Sequence, residues 1–150
     1  MESNLQILLR EATDSDSELA YKIKKAAFSQ YVTNLYGCWD EFEQHGYHQS
    51  RFVFQNFKII TVNGKTAGSL EVVAEPECIN VRQLMILPEH QGKGIGAHCM
   101  AVIRAEAEKL GVPIRLQVMK VNPRALLFYK RLGFVVSAST DTHYQMEAQL

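Results

Sequence analysis

The sequence predicts an α/β fold built on a mixed sheet, and three observations carry that expectation. Strand-like apolar runs and helix-periodic segments interleave along the 150 residues. Asn63-Gly64 stands between two such runs, and this dipeptide is the strongest short-range hairpin signal because both positions tolerate positive φ. Gly111 and Gly133 fall just past two helix-periodic segments, where left-handed C-terminal caps belong. No repeat, low-complexity tract or linker divides the chain, so a single domain over 1–150 is expected.

Taken in order, Leu5 to Leu9 reads as a short strand, and Thr13-Asp14-Ser15-Asp16-Ser17 offers N-caps to a helix carrying Leu19, Ile23 and Ala27 on one face. From Tyr31 to Gln55 the pattern blurs; YGCWDEFEQHGYHQSRF reads as a turn and then a second helix. Phe57 to Val62 and Thr66 to Val73 flank the Asn-Gly turn and should pair antiparallel. Glu75-Pro76 ends the second of these, and Ile79 to Leu87 makes a third strand of the meander. Ile95, Cys99, Ile103, Ala107 and Leu110 recur at helical spacing. Ile114, Leu116 and Val118 alternate with Arg115, Gln117 and Met119 as a strand. Asn122-Pro123 has the cap-then-proline signature of a helix start, and FVVSAS and THYQME supply two final strands.

Composition narrows the classes of function. At 47% apolar and 21% charged residues the chain is an ordinary globular one. Sixteen basic residues balance sixteen acidic ones, so the field that draws a protein to nucleic acid or an anionic membrane is missing. No stretch approaches the ~20 apolar residues of a membrane span. Glu2 stands where a signal peptide carries positive charge, and three cysteines without CxxC spacing suit reduced thiols; both point to the cytoplasm. His45, His48 and Cys38 lie close in sequence but make a thin metal-site signal, and no metal is expected.

The most informative stretch is PEHQGKGIGAHCM, Pro88 to Met100, where Gly92, Gly94 and Gly96 strip side chains from a strand-to-helix turn. A helix N-terminus offers four unpaired N–H groups and roughly half a positive charge, a ready site for phosphate. Loss of the Cβ atoms would let a ligand down onto those amides. A triphosphate P-loop fails, because Gly92-Lys93 is followed by Gly94 and Gly64-Lys65 lies in a hairpin. A dinucleotide fingerprint is formally met by Gly92, Gly94 and Ala97, yet the following strand, IRLQVMKVN, lacks the acid that reading needs. The third cradle is the [QR]xxGx[GA] signature, matched by Gln91-Gly92-Lys93-Gly94-Ile95-Gly96; downstream, NPRALLFYKRLGF matches an NxxAxxxYxxxGF block through Asn122, Ala125, Tyr129 and Gly133-Phe134.

Together these two motifs resemble the GCN5-related N-acetyltransferase (GNAT) superfamily, closely over Phe57 to Met146 and by element order before that. The resemblance implies a mostly antiparallel, twisted mixed sheet of about six to seven strands, helices on both faces and a V-shaped opening between the central strands. It implies acetyl-CoA as donor, with backbone groups of Met85, Ile86 and Leu87 pairing with pantetheine. The amides of Gln91, Gly92, Lys93, Gly94, Ile95, Gly96 and Ala97 would receive the pyrophosphate, and Asn122 would hold the cofactor arm. Tyr129 would protonate the departing sulfur, and a backbone N–H near Met85 would receive the oxyanion. Lys93, Arg124 and Lys130 are further candidates for phosphate contact.

No motif assigns the base. Glu71, opposite in face to Leu70 and Val72, is the first candidate, followed by Glu41 and His143. Trp39-Asp40-Glu41 falls where the family places its acceptor-side helices. The acceptor itself stays open between a small-molecule amine and a protein amine, and homodimers are common in the family. A second class of reading is a catalytically silent acyl-CoA sensor that keeps the cofactor site.

Overall fold

The computed structural model describes residues 5–149. Strand β1, Ile7–Glu11, lies two residues later than the expected Leu5 to Leu9. It pairs antiparallel with β2, Phe57–Val62, from Ile7 opposite Val62 to Glu11 opposite Lys58. As an edge strand it carries charge that a central strand would not. Arg10 pairs with Asp16 at 2.9 Å and Glu11 with Lys58 at 3.4 Å. Asp16 also accepts the Thr13 N–H at 2.8 Å; the Arg10 guanidinium, opposed by partial burial, holds its carboxyl below the ordinary range.

Helix α1, Ser17–Tyr36, runs further than its Leu19, Ile23 and Ala27 stripe suggested, and stops where Gly37 takes φ 91° and donates its N–H to the Thr33 carbonyl. The turn-then-helix reading of the next segment holds. Asp40 accepts the Glu43 N–H at 2.9 Å and caps α2, Glu41–Arg51. Both helices cover one face of the sheet, where Ala20 packs with Phe57 and Ile59, and Phe52 of the α2–β2 link stacks at 4.8 Å on Phe57.

The other face carries the larger core. Strands β3 (Lys65–Ala74) and β4 (Ile79–Ile86) continue the meander, and α3 (Ile95–Leu110) crosses over to β5 (Ile114–Met119). Ile95, Cys99, Ile103 and Ala107 of α3 bury against Ile60, Leu70, Ile79, Val81, Ile114 and Leu116. Helix α4, Pro123–Arg131, precedes β6 (Val135–Ser139) and β7 (His143–Ala148), each within a residue of expectation. Among the described residues the seven strands form one sheet in the order β1-β2-β3-β4-β5-β7-β6. No helix there is long and apolar enough to cross a membrane.

Two features create the opening. The β4–β5 pairing is parallel, and it covers Ile79 to Val81 against Ile114 to Leu116 and no more. β5 stays paired with β7 as far as Met119 opposite His143, so β4 parts from β5 while it remains paired with β3 up to Ile86 opposite Gly68. At the split, Glu71 faces Gln83 while Val72 faces Val81, which leaves Arg82 as the extra residue of a β-bulge. One inserted residue reverses the alternation. Ile79 and Val81 before it, and Leu84 and Ile86 after it, therefore all face the α3 core.

Candidate active site

A cavity of about 760 Å³ opens at the split. Its walls come from the free end of β4, the glycine turn, the first turn of α3, α4, and the middle of α1. Of the residues expected to bind a cofactor, Met85, Ile86, Gln91, Gly92 and Gly94 line it. So do Ile95, Gly96, Ala97 and Asn122, together with Tyr129. Leu87, Lys93 and Glu71 do not.

The strand edge is offset from the expected one. The Leu87 N–H donates to the Ala67 carbonyl at 2.8 Å and the Leu87 carbonyl accepts from His90 N–H at 2.9 Å, so both backbone groups of Leu87 are engaged within the protein. Hydrogen-bonding direction alternates along a strand; Met85 therefore turns its N–H toward β3, and Leu84 and Ile86 face the opening. The Ile86 carbonyl is met there by Gln91 Nε2 at 2.9 Å, and Gln91 Oε1 accepts from Arg124 Nη1 at 3.4 Å. Gln91 thus fastens the strand end to α4 across the mouth of the turn.

The glycines answer to backbone geometry first. Gly92 and Gly94 sit at φ 75° and 80°, a region closed to most side chains, and Gly94 is the N-cap of α3. Gly96 is ordinary in φ, but a Cβ there would stand 3.2 Å from the Phe128 ring. Clearance for a ligand, the reason inferred from sequence, is therefore joined by a conformational and a packing reason. His90, in the short turn before the cradle, contributes to the same region a buried Nδ1 without a partner among the described residues.

Asn122 and Tyr129 reach the cavity from α4. Asn122 Oδ1 accepts the Ala125 N–H at 3.1 Å, capping the helix and leaving its amide donors for other use. Tyr129 is buried, with Phe128 edge-on at 4.9 Å and Phe134 at 5.5 Å. Burial, with a smaller effect from Cys99, raises its phenol well above the usual value and keeps it protonated. Burial also pushes the Cys99 thiol up to about 11, and raises Cys78, which Glu75 raises further. Neither is poised as a nucleophile.

Ala27, Phe28 and Tyr31 of α1 were missed as site residues. Their spacing puts them on one helix face, but that face reads as core until the cavity is seen. On the same side of the sheet Glu71 is buried rather than solvated, at 7% exposure. Burial raises its carboxyl, against the opposing charges of Arg82 and Lys24. The other base candidates are less suited. Glu41 is exposed and engaged by Lys25, by the Tyr21 hydroxyl at 2.9 Å and by Trp39 Nε1 at 3.2 Å, and these contacts, Lys25 foremost, lower its pKa. Trp39 is thereby an anchor between α1 and α2. His143 hydrogen-bonds Thr142 Oγ1 at 2.7 Å and does not line this cavity. His45 binds Glu18 at 2.6 Å and His48 the Ser17 carbonyl at 2.8 Å. Among the described residues no group of three or more His, Cys, Asp or Glu is arranged to hold a metal.

Residues 16–134 match the model of the acetyltransferase (GNAT) family. Solved structures of the same fold include PaiA N-acetyltransferase from Thermoplasma acidophilum in complex with coenzyme A, at 20% identity and TM-score 0.73, covering 97% of this chain and 99% of that one. Arabidopsis thaliana Naa50, in complex with the bisubstrate analogue CoA-Ac-MVNAL, aligns at 16% identity and TM-score 0.72, covering 96% and 99%. The ribosomal-protein-S18-alanine N-acetyltransferase from Escherichia coli aligns at 21% identity and TM-score 0.70, covering 95% and 93%. At these identities the likeness is one of fold.

Proposed function

Because the chain belongs to the acetyltransferase (GNAT) family, we propose that it is a single-domain enzyme that moves an acetyl group from acetyl-CoA to a primary amine by direct attack. The observation that carries this reading is the meeting, in one cavity, of an unpaired strand edge, a helix N-terminus and a buried tyrosine. Acetyl-CoA supplies an activated acyl thioester. The backbone groups of Leu84 would hold the extended arm as a neighbouring strand would, and the amides from Gln91 to Ala97, through the glycine turn into the first turn of α3, suit a pyrophosphate. Asn122 offers its free amide donors to the same arm.

The Ile86 N–H replaces the Met85 group as the donor aimed at developing negative charge. Tyr129 holds a proton for the sulfur that leaves, and the raised thiols of Cys78 and Cys99 favour direct transfer over a covalent acyl-enzyme. Mixing the protein with acetyl-CoA and a panel of small amines and peptides should give amine-dependent thiol release. Binding without release under every amine would reassign the protein as an acyl-CoA sensor, and absence of binding would remove both readings.

Glu71 is the proposed base, and its environment sets an opposition between stability and activity. A carboxyl whose pKa is raised on folding stabilises the fold while protonated; that contribution is full below the unfolded value of ~4.3 and is lost as pH rises through the raised folded value. Above that raised value the ionised group weakens the fold. Glu71→Gln is expected to melt at or above the wild-type temperature at pH 7.5, with the gap closing in acid, while turnover falls by roughly 10²-fold. Wild-type turnover in a well-folded variant would transfer the role elsewhere.

A further inference from the structure

We propose that the acceptor is a primary amine that also carries a carboxylate, received by Arg82 and the carboxamides of Gln117 and Gln145 in a second cavity beside the split. The inference rests on the acetyl-transfer reading and names the acceptor chemistry which that reading leaves open. This cavity, of about 600 Å³, is walled by β4, β5, β7 and β6 and by the β3–β4 turn.

Alternation along the strands fixes the side of the sheet on which it lies. Leu116 and Met146 point into the α3 core, so Gln117 and Gln145 beside them point the other way. Val81 and Leu84 both face that core across the bulge, which turns Arg82 to the opposite side as well, the side on which α1 lies. The donor cavity is lined by α3 and α4 on one side of the sheet and by α1 on the other, so it passes through the split. A donor seated on the α3 amides leaves the α1 side open to the acceptor. Leu84 of the donor cavity and Arg82 of the second one are two residues apart on β4, about 6.6 Å along the strand.

The charges of the cavity are unequal in their engagements. Glu75 accepts from Cys78 Sγ at 3.7 Å and from Asn80 Nδ2 at 3.3 Å, and Arg115 Nε donates to Glu147 Oε2 at 3.2 Å. Arg82 enters none of the ion pairs among the described residues. Gln117 stands directly opposite Gln145, one residue past the last β4–β5 pair, Val81 with Leu116. Both carboxamides therefore lie on the Arg82 side of the split.

An exposed arginine alone signifies little. This one is the inserted residue of a bulge, a device that re-aims a side chain beside an active site. A guanidinium fork flanked by amide donors matches a carboxylate. Glu71 faces Gln83 and so lies one residue nearer the donor cavity, within reach of the Arg82 charge. An acceptor with nitrogen at one end and carboxylate at the other meets a complementary group at each. The spacing along β4 places that carboxylate several bonds from the nitrogen.

The test compares amines matched in all but charge: δ-aminovalerate against pentylamine, and a tripeptide amide with glutamate against one with glutamine as its second residue. In at least one pair kcat/KM should favour the carboxylate by roughly tenfold or more, with the difference in KM. A preference in the first pair identifies a small amino acid as the source, and in the second a peptide or protein terminus. Arg82→Gln should bring the ratio close to one, while Arg82→Lys, which keeps the charge and loses the fork, should retain part of it. Both variants should melt within about 2 °C of wild type, since the side chain is exposed. Equal kcat/KM within both pairs, or a preference that survives Arg82→Gln, would overturn the inference and leave the enzyme reading intact. A protein that releases no thiol with any amine would remove both.

Discussion

Tyr129→Phe is expected to lower amine-dependent thiol release by roughly 10²-fold or more while acetyl-CoA affinity stays within about twofold. Phe retains the ring, so the edge-on contacts with Phe128 and Phe134 and the burial in the α3 core persist. What goes is one hydroxyl proton, held in place at neutral pH by burial. An acid that acts on the leaving sulfur contributes in the transition state and not to donor binding, so the loss should fall on kcat. Steady-state kinetics with a calorimetric titration of acetyl-CoA separates the two. Wild-type turnover would remove Tyr129 as the acid, and a parallel loss of affinity and melting temperature would make it a packing residue.

The largest stability effect is expected at Gly68. A glycine in a strand interior ordinarily costs about 0.5–1 kcal/mol relative to alanine, so Gly68→Ala would be a stabilising change on an average strand. Here a Cβ would run into the Met85 carbonyl oxygen and lie 3.2 Å from the Ile86 Cα. The obstacle is backbone, which cannot swing aside as a side chain can. β4 must move, and it is the strand whose free end makes the cavity. A loss of about 3 kcal/mol or more is expected, seen as a melting temperature lower by roughly 6–12 °C. Donor binding should weaken with it. A variant as stable as wild type would mean that β3 and β4 are not held this closely.

Much of this was legible because the signals were local. Asn63 and Gly64 do take positive φ, at 51° and 82°, between two antiparallel strands. Asn122-Pro123 and Gly111 mark a helix start and a helix end as their chemistry requires. The two motifs converge on one cavity for the same reason, since each fixes a strand-to-helix turn by itself. The failures were non-local. Glu71 has the alternation of a solvated residue, and only the packing of α1 and α2 over that face buries it. Leu87 looked like a continuation of β4, but its backbone closes onto Ala67 and His90. The charges of Arg10 and Glu11 disguised the end of β1, which is tolerable only at a sheet edge. Phe28 and Tyr31 carry no mark that separates the wall of a cavity from the lining of a core.

Arg82 has a bearing on how this chain is compared with its relatives. The extra residue shifts the phase of β4 by one, so a protein lacking it would, if aligned without a gap, have its cavity-facing positions matched to those that here face β3. Site residues copied across such an alignment would be wrong by one throughout the free end of the strand while every flanking motif still matched. Correspondence along β4 is therefore better counted from the Glu71–Gln83 pair than from either end of the strand.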